Sequence, residues 1–288
     1  MQGVKLMFTT IVSTSELAAH AADAQWLVVD CRFALADEDW GAREYRVAHV
    51  PGAVYAHLGH DLSSPPDGSN GRHPLPDPAA LIETFGRLGI AQGVQVVAYD
   101  QDSGMFASRL WWLLRWMGHD SVAVLDGGFA KWISEGRPTA SGEHATPARR
   151  FTGAPQAGMT AGAADVAALV DRRDALLVDA RAPERFRGET EPLDRVAGHI
   201  PGATNHFFQQ NLDEHGVFRS PDDLRERLSS TLAGTTPDHV VCYCGSGVTA
   251  CHNLLALEHA GLHGAKLYAG SWSEWSSDPA RPVERSKA

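Results

Sequence analysis

The sequence predicts an α/β protein made of two similar domains in tandem, each a mostly parallel sheet flanked by helices. Three observations lead there. The chain has 288 residues, 43% of them hydrophobic, enough for two domains of ordinary size with a core each. One ordered set of short signatures occurs twice. Short apolar runs bounded by Gly, Asp or Pro alternate with longer stretches of helical periodicity, the pattern that closes as a parallel sheet covered on both faces.

Taken in order, the first signature is Leu27-Val28-Val29-Asp30-Cys31-Arg32, matched by Leu177-Val178-Asp179-Ala180-Arg181. Each reads as a buried strand ending in an acid, with an arginine two residues on. The second is Ala48-His49-Val50-Pro51-Gly52-Ala53 against Gly198-His199-Ile200-Pro201-Gly202-Ala203. These histidines occur in both halves and read as structural. The third is Val96-Val97-Ala98-Tyr99-Asp100 against Val240-Val241-Cys242-Tyr243-Cys244, each followed by a small-residue loop and a helical pattern. The fourth sets Leu125-Asp126-Gly127-Gly128-Phe129-Ala130-Lys131-Trp132 against Tyr268-Ala269-Gly270-Ser271-Trp272-Ser273-Glu274-Trp275. Helices are expected over Pro78 to Leu88, Phe106 to Met117 and Thr249 to His259. The spacing places one domain near 8–138, a Gly/Pro/Ala/Ser/Thr-rich linker at 139–162, and a second domain near 163–284. In such sheets ligands collect at the carboxyl ends of the strands. Cys244 falls at one of these ends, and Asp100 stands at the matching place in the first half.

Composition narrows the function. A net charge of −10 with no basic patch argues against nucleic-acid or anionic-membrane partners. The longest apolar runs, Leu27 to Val29 and Val94 to Tyr99, are far below the ~20 residues a membrane span needs. Met1 to Ser13 carries one Lys and a broken apolar run, unlike a secretory leader, so a cytoplasmic protein is expected. Four cysteines, Cys31, Cys242, Cys244 and Cys251, make no disulfide framework, and free thiols follow.

Cys244 lies in strand-loop-helix context. Gly245 and Gly247 are expected to let the loop curl so that amide N–H groups converge, with the helix from about Thr249 adding its N-terminal dipole. An anion there is stabilised, and a thiolate with a depressed pKa is the expectation for Cys244. Cys242 points to the same side of the strand and reads as packing, as does Cys31. Cys251 could resolve a disulfide but is more simply packed. Zinc at Cys242, Cys244, Cys251 and His252 lacks the second CxxC-type pair of structural sites.

These motifs resemble the two-domain rhodanese-family sulfurtransferases over nearly the whole chain. The loop Cys244-Gly245-Ser246-Gly247-Val248-Thr249 is similar to that of the 3-mercaptopyruvate sulfurtransferases. The resemblance implies tandem rhodanese-like domains, the first without its nucleophile, and an active site between them. It implies that Cys244 takes sulfur from a small-molecule donor, holds it as a persulfide within the loop amides, and gives it to a thiol or to cyanide. The acceptor thiol would belong to a reduced thioredoxin-like protein or a small molecule, and no metal or organic cofactor is required. Relatives that prefer thiosulfate place Arg and Lys after the cysteine, so the uncharged Gly245-Ser246 favours mercaptopyruvate, with thiosulfate the alternative. By the same resemblance Arg185 binds the donor carboxylate, and Gly245, Gly247, Val248 and Thr249 line the substrate. The second arginine of the family falls in a loop that is shorter here, leaving Arg195 as candidate and Arg187 as fallback. His73, in Gly71-Arg72-His73-Pro74, matches the histidine brought near the loop serine, predicting a Ser246–His73 proton relay. The acid of that relay aligns with His57, near Asp61. Ala269 stands where relatives often carry an acid; Asp126 keeps one in the first half.

Two rivals remain. A cysteine phosphatase needs an Arg about six residues after its Cys, where this chain has Ala250. A non-catalytic binding module suits the first half, but the second keeps its thiol.

Overall fold

A computed structural model describes residues 7–172 and 175–286. The stretch weighed as a leader begins with residues 1–6, outside the described residues. The described residues form two compact units, one from those up to Leu62 together with Asp77–Gln156, the other from Ser63–Pro76 together with those from Ala157 onward.

The first unit runs β1 (Ile11–Val12), α1 (Thr14–Ala19), β2 (Trp26–Asp30), α2 (Trp40–Val47), β3 (Val54–Tyr55), α3 (Pro78–Arg87), β4 (Gln95–Tyr99), α4 (Ala107–Trp116), β5 (Val122–Leu125) and α5 (Gly128–Ser134). Its sheet has the order β1-β5-β4-β2-β3, and every pairing is parallel. All five residues of β4 are buried, as a central parallel strand between helical layers requires. Helix α3 begins where Asp77 accepts from the Ala79 N–H and Pro78 occupies the first turn, where its missing N–H costs nothing. Residues 140–156 are not free chain. Ala140 pairs with His49 in a β-bridge, and the Arg149 and Gln156 N–H groups donate to the Gly86 and Trp116 carbonyls.

The second unit runs α6 (Ala163–Arg172), β6 (Leu176–Asp179), α7 (Pro183–Arg187), β7 (Thr204–Asn205), α8 (Pro221–Leu232), β8 (Val240–Tyr243), α9 (Thr249–His259), β9 (Lys266–Leu267) and α10 (Ser271–Trp275). Its sheet is β7-β6-β8-β9, again parallel throughout. Helix α9 is buried from Ala250 to Leu257, so its lack of an amphipathic stripe reflects a helix packed on all sides.

The repeat extends to individual hydrogen bonds. Register sets Asp30 beside Tyr99 and Asp179 beside Tyr243. In each unit the acid is buried and chelated by the arginine two residues on, Arg32 at 2.7 Å and Arg181 at 2.6 Å. Each arginine also donates to a carbonyl beside the His-Pro-Gly turn, Ala48 O and Gly198 O, and lies over an aromatic ring, Phe129 or Trp272. The two tyrosine hydroxyls accept from the Val50 and Ile200 N–H groups. His49 and His199 each use Nδ1 on a carbonyl, Tyr45 O and Phe186 O, and stack on that residue's ring. This shared scaffold fixes the strand end at which residue 100 or 244 emerges.

Candidate active site

Strand β8 delivers Cys244 to the start of α9, where helix N-terminal amides carry partial positive charge. Cys244 is 2% exposed, and the Gly247 N–H donates to its Sγ at 3.2 Å. The loop is clamped from behind. Cys244 N–H donates to Ser271 Oγ at 3.1 Å, while Trp272 N–H and Ser273 N–H donate to the Cys244 and Gly245 carbonyls. Ser271 adopts φ +54°, and in the sister unit the matching residue, Gly128, has φ +55°. A non-glycine in this region is strained by roughly 1–2 kcal/mol. Its hydroxyl offsets that by bonding the Cys244 N–H and the Tyr268 carbonyl. Ser271 was not singled out from sequence, although Ser facing Gly in the repeat was the available signal.

The two loop glycines serve different ends. Gly247 has φ +75°, and a Cβ there would stand 2.4 Å from Ala269 O, so both conformation and space demand glycine. Gly245 is not among the glycines of positive φ, which corrects the conformational role expected for it. What it provides is room. A Cβ on Gly245 would lie 3.1 Å from Arg72 Nη2 and 3.7 Å from Arg185 Nη1 and Nη2. Val248, buried, and Thr249, half-buried, open the helix.

Segment Ser63–Pro76, written in the first half of the sequence, folds with the second unit. It brings His73 Nδ1 within 2.8 Å of Ser246 Oγ, and both side chains are buried. It also brings Arg72, unmarked in the sequence reading, whose Nη1 bonds Asp194 Oδ1 at 2.8 Å. Arg185, on α7, faces the same loop. Its Nη2 bonds Glu191 Oε1 at 2.6 Å and reaches Asp194 Oδ2 at 3.4 Å, and its Nε approaches Glu191 Oε2 at 3.3 Å. Arg195 is exposed and makes no hydrogen bond or ion pair among the described residues. Arg187 is occupied by Glu189.

His57, the residue aligned with the relay's acid, bonds within the first unit. Its Nδ1 accepts from the Gly59 and His60 N–H groups, and its Nε2 donates to Glu38 O at 3.1 Å. Both ring nitrogens are thereby spent inside the first unit, and burial pushes its pKa below the ordinary value. Asp61 pairs with Arg87. Asp126 has Lys131 at 3.8 Å.

The remaining thiols pack. Cys31 and Cys242 are buried and their pKa values are raised by that burial. Cys251, in the first turn of α9, donates to Gly247 O at 3.3 Å and so steadies the loop. Among the described residues no group of three or more His, Cys, Asp or Glu is placed to hold a metal ion. No helix among them is long and apolar enough to cross a membrane.

The first unit's loop is filled from within. The Asp100 carboxylate, fully buried, accepts from the N–H groups of Asp102, Gly104, Phe106 and Ala107 at 2.7–3.2 Å. Burial pushes its pKa up to about 6 against the downward pull of those amides.

A doubled parallel α/β fold that presents the Cys244 thiol just ahead of a helix N-terminus, with the sister loop closed by a carboxylate, defines a protein built on a duplicated domain. The family model described as Rhodanese-like domain matches residues 13–135 and 162–278, and the chain belongs to that family. A Pseudomonas aeruginosa protein named as a probable 3-mercaptopyruvate sulfurtransferase is 50% identical over 95% of this chain and 97% of its own. A Mycobacterium tuberculosis protein, named provisionally as a thiosulfate sulfurtransferase, is 40% identical over 96% of this chain and 98% of its own. The crystal structure of a 3-mercaptopyruvate sulfurtransferase from Escherichia coli matches with TM-score 0.80 at 33% identity, over 92% of this chain and 99% of its own.

Proposed function

We propose that the chain is a sulfurtransferase that moves sulfur from 3-mercaptopyruvate to a thiol through a persulfide on Cys244. The observation that carries this reading is the Cys244 thiol held under the Gly247 N–H at 3.2 Å at the start of α9. In the first half-reaction the Cys244 thiolate attacks the donor's thiol sulfur. The S–S bond forms as the bond from sulfur to C3 breaks, and its electron pair passes to C3 as the enolate of pyruvate. The donor's thiol proton is the one C3 gains, so thiolate and mercaptopyruvate become persulfide anion and pyruvate. Ser246 and His73, joined at 2.8 Å, are placed to carry that proton. In the second half an acceptor thiol, from a small molecule or a reduced thioredoxin-like protein, attacks the outer sulfur and returns the thiolate. Ping-pong kinetics follow from the covalent intermediate. His73, Ser246 and Cys244 are the catalytic set of this reading, with Arg185, Val248 and Thr249 beside the donor. Four cysteines outside any disulfide and the acidic composition suit a cytoplasmic protein without nucleic-acid or membrane partners.

Thiosulfate is the second donor to test, because two guanidinium groups near Gly245 suit a dianion despite the uncharged loop sequence. Mass spectrometry of the intact protein after donor treatment is expected to find one added sulfur on Cys244, absent in Cys244→Ser. No adduct from either donor would overturn the reading. A kcat/KM for thiosulfate above that for mercaptopyruvate would reassign the donor and keep the persulfide.

A further inference from the structure

Ser273, in α10, bonds both to the nucleophile loop and to segment Ser63–Pro76. Its N–H donates to the Gly245 carbonyl at 2.9 Å, one residue before Ser246. Its Oγ lies 3.0 Å from the Arg72 backbone nitrogen, one residue before His73, and 3.1 Å from the Gly270 carbonyl oxygen. A hydroxyl has a single proton to give. Gly270 O only accepts and the Arg72 N–H only donates, so the direction of the chain is fixed: Arg72 N–H to Ser273 Oγ, then Ser273 O–H to Gly270 O. The contact is tight from the other side as well. Gly71 has φ +88°, and a Cβ there would stand 2.8 Å from Gly270 O and 3.3 Å from Ser273 Oγ, so the backbone of the segment lies directly against the turn that opens α10.

The sister unit separates what the scaffold needs from what Ser273 adds. Ala130 occupies the matching place in the repeat, and its N–H donates to the Gln101 carbonyl at 2.9 Å, just as the Ser273 N–H donates to Gly245. Phe129 and Trp272 likewise donate to the Asp100 and Cys244 carbonyls. These backbone bonds are common to both units, and an alanine suffices for them. The hydroxyl is added in the unit that holds Cys244, and there it bonds the segment that carries His73. That segment forms no helix or strand. No ladder of backbone bonds fixes His73 in place, and its position depends on tethers such as this one.

We propose that Ser273 is a positioning residue for the Ser246–His73 pair. By holding the residue before each partner it sets the 2.8 Å between His73 Nδ1 and Ser246 Oγ, and it acts only through them. This deepens the function proposed above and rests on it for the reaction that the pair serves. Proton transfer tolerates little error in distance, since a misplacement of about 1 Å costs a reaction roughly 10²-fold.

Ser273→Ala and Ser273→Thr, made in the full chain, test the assignment. Ser273→Ala keeps the N–H to Gly245 O and removes the hydroxyl alone, a state that Ala130 shows the scaffold accepts. Steady-state kcat for mercaptopyruvate is expected to fall about 10-fold or more in Ser273→Ala, and to stay near wild type in Ser273→Thr, which keeps the hydroxyl. In a His73→Ala background Ser273→Ala is expected to cost little further, whereas a merely structural role gives the same loss in both. The NMR signal of His73 Nδ1, identified as the one missing from His73→Ala, reads the pair without any sulfur transfer. It is expected to move in Ser273→Ala in the direction it moves in Ser246→Ala. Should no donor load Cys244, the sulfurtransferase reading falls alone and this signal still decides on Ser273. Gly71→Ala presses on the same contact from the segment side and is expected to move the signal too, and it decides in place of Ser273→Ala if that variant does not fold. An unmoved His73 signal, or equal kcat losses with and without His73, would overturn the role of Ser273.

Discussion

Gly247→Ala separates the two demands placed on the nucleophile loop. At φ +75° an alanine carries the left-handed penalty of roughly 1–2 kcal/mol. Its Cβ would also stand 2.4 Å from the Ala269 carbonyl oxygen. That contact is with backbone and cannot be relieved by turning a side chain, so overpacking adds roughly 1–3 kcal/mol. The total is about 2–5 kcal/mol. Gly216 supplies the control, since it has φ +75° and nothing within 4 Å of its Cβ position. Gly216→Ala should therefore show the conformational part alone. The steric part has a chemical consequence, because pushing residue 247 away from Ala269 carries its N–H off the Cys244 Sγ that it meets at 3.2 Å. Losing that donor leaves less of Cys244 in the thiolate form that attacks the donor, so loading slows. Urea unfolding gives the stability difference between the two variants, and stopped-flow loading of Cys244 with donor gives the rate. If Gly247→Ala is no less stable than Gly216→Ala and loads at the wild-type rate, the role given to the Gly247 amide is wrong.

Ser246→Ala and His73→Ala should each lower kcat by roughly 10²-fold or more, and the double variant should be little worse than either, because a relay fails as a unit; additive losses in steady-state kcat would refute the pairing. Arg185→Ala should raise KM for mercaptopyruvate, and it frees Glu191 from its 2.6 Å ion pair, so a fall in melting temperature should accompany it; an unchanged KM would place the carboxylate elsewhere. Asp100→Ala should leave persulfide loading of Cys244 intact while destabilising the protein, since three buried N–H groups, of Gly104, Phe106 and Ala107, lose their acceptor at roughly 1–3 kcal/mol for an unsatisfied donor. Because the folded pKa of Asp100, about 6, exceeds its ordinary 3.8, its contribution is full below about pH 4 and declines as pH rises through 6. The urea-unfolding deficit of Asp100→Ala should accordingly be larger at pH 4 than at pH 7.5, and a deficit independent of pH would refute that sign.

The central strands and main helices were legible because parallel strands buried on both faces are written as unbroken apolar runs, as at Val96 to Tyr99, and because each signature occurs twice. The edge strands were not. β1, β3, β7 and β9 have two residues each, too few to show any period, and their pairing comes from the neighbouring strand. Cys244 was singled out from its strand-loop-helix setting, and Ser246 through the family resemblance of the loop. His73 carried no local pattern and was reached through the family resemblance, for the physical reason that its segment crosses in sequence to fold with the other unit. Arg72 was passed over for the same reason, since an arginine in a Gly/Pro-rich stretch looks like a solvated one. Arg195, a candidate by its position along the loop, is exposed.

The sister loops also bear on how the active one is loaded. Residues 100 and 244 leave equivalent strands one step after Tyr99 and Tyr243, which hold equivalent places in register. A carboxylate oxygen stands two bonds beyond Cβ, and so does the outer sulfur of a cysteine persulfide; a thiol sulfur stands only one. In the first unit the two oxygens reach four loop amides. In the second the thiol sulfur meets one. The first unit's loop is longer, so the amides are not matched one to one, but the principle carries over. A nest of successive backbone N–H groups binds anions by pointing those groups at a common centre. The donated sulfur would thus move the charge of Cys244 outward, toward loop donors that the free thiol leaves unused. In the first loop Asp100 already fills the corresponding amides.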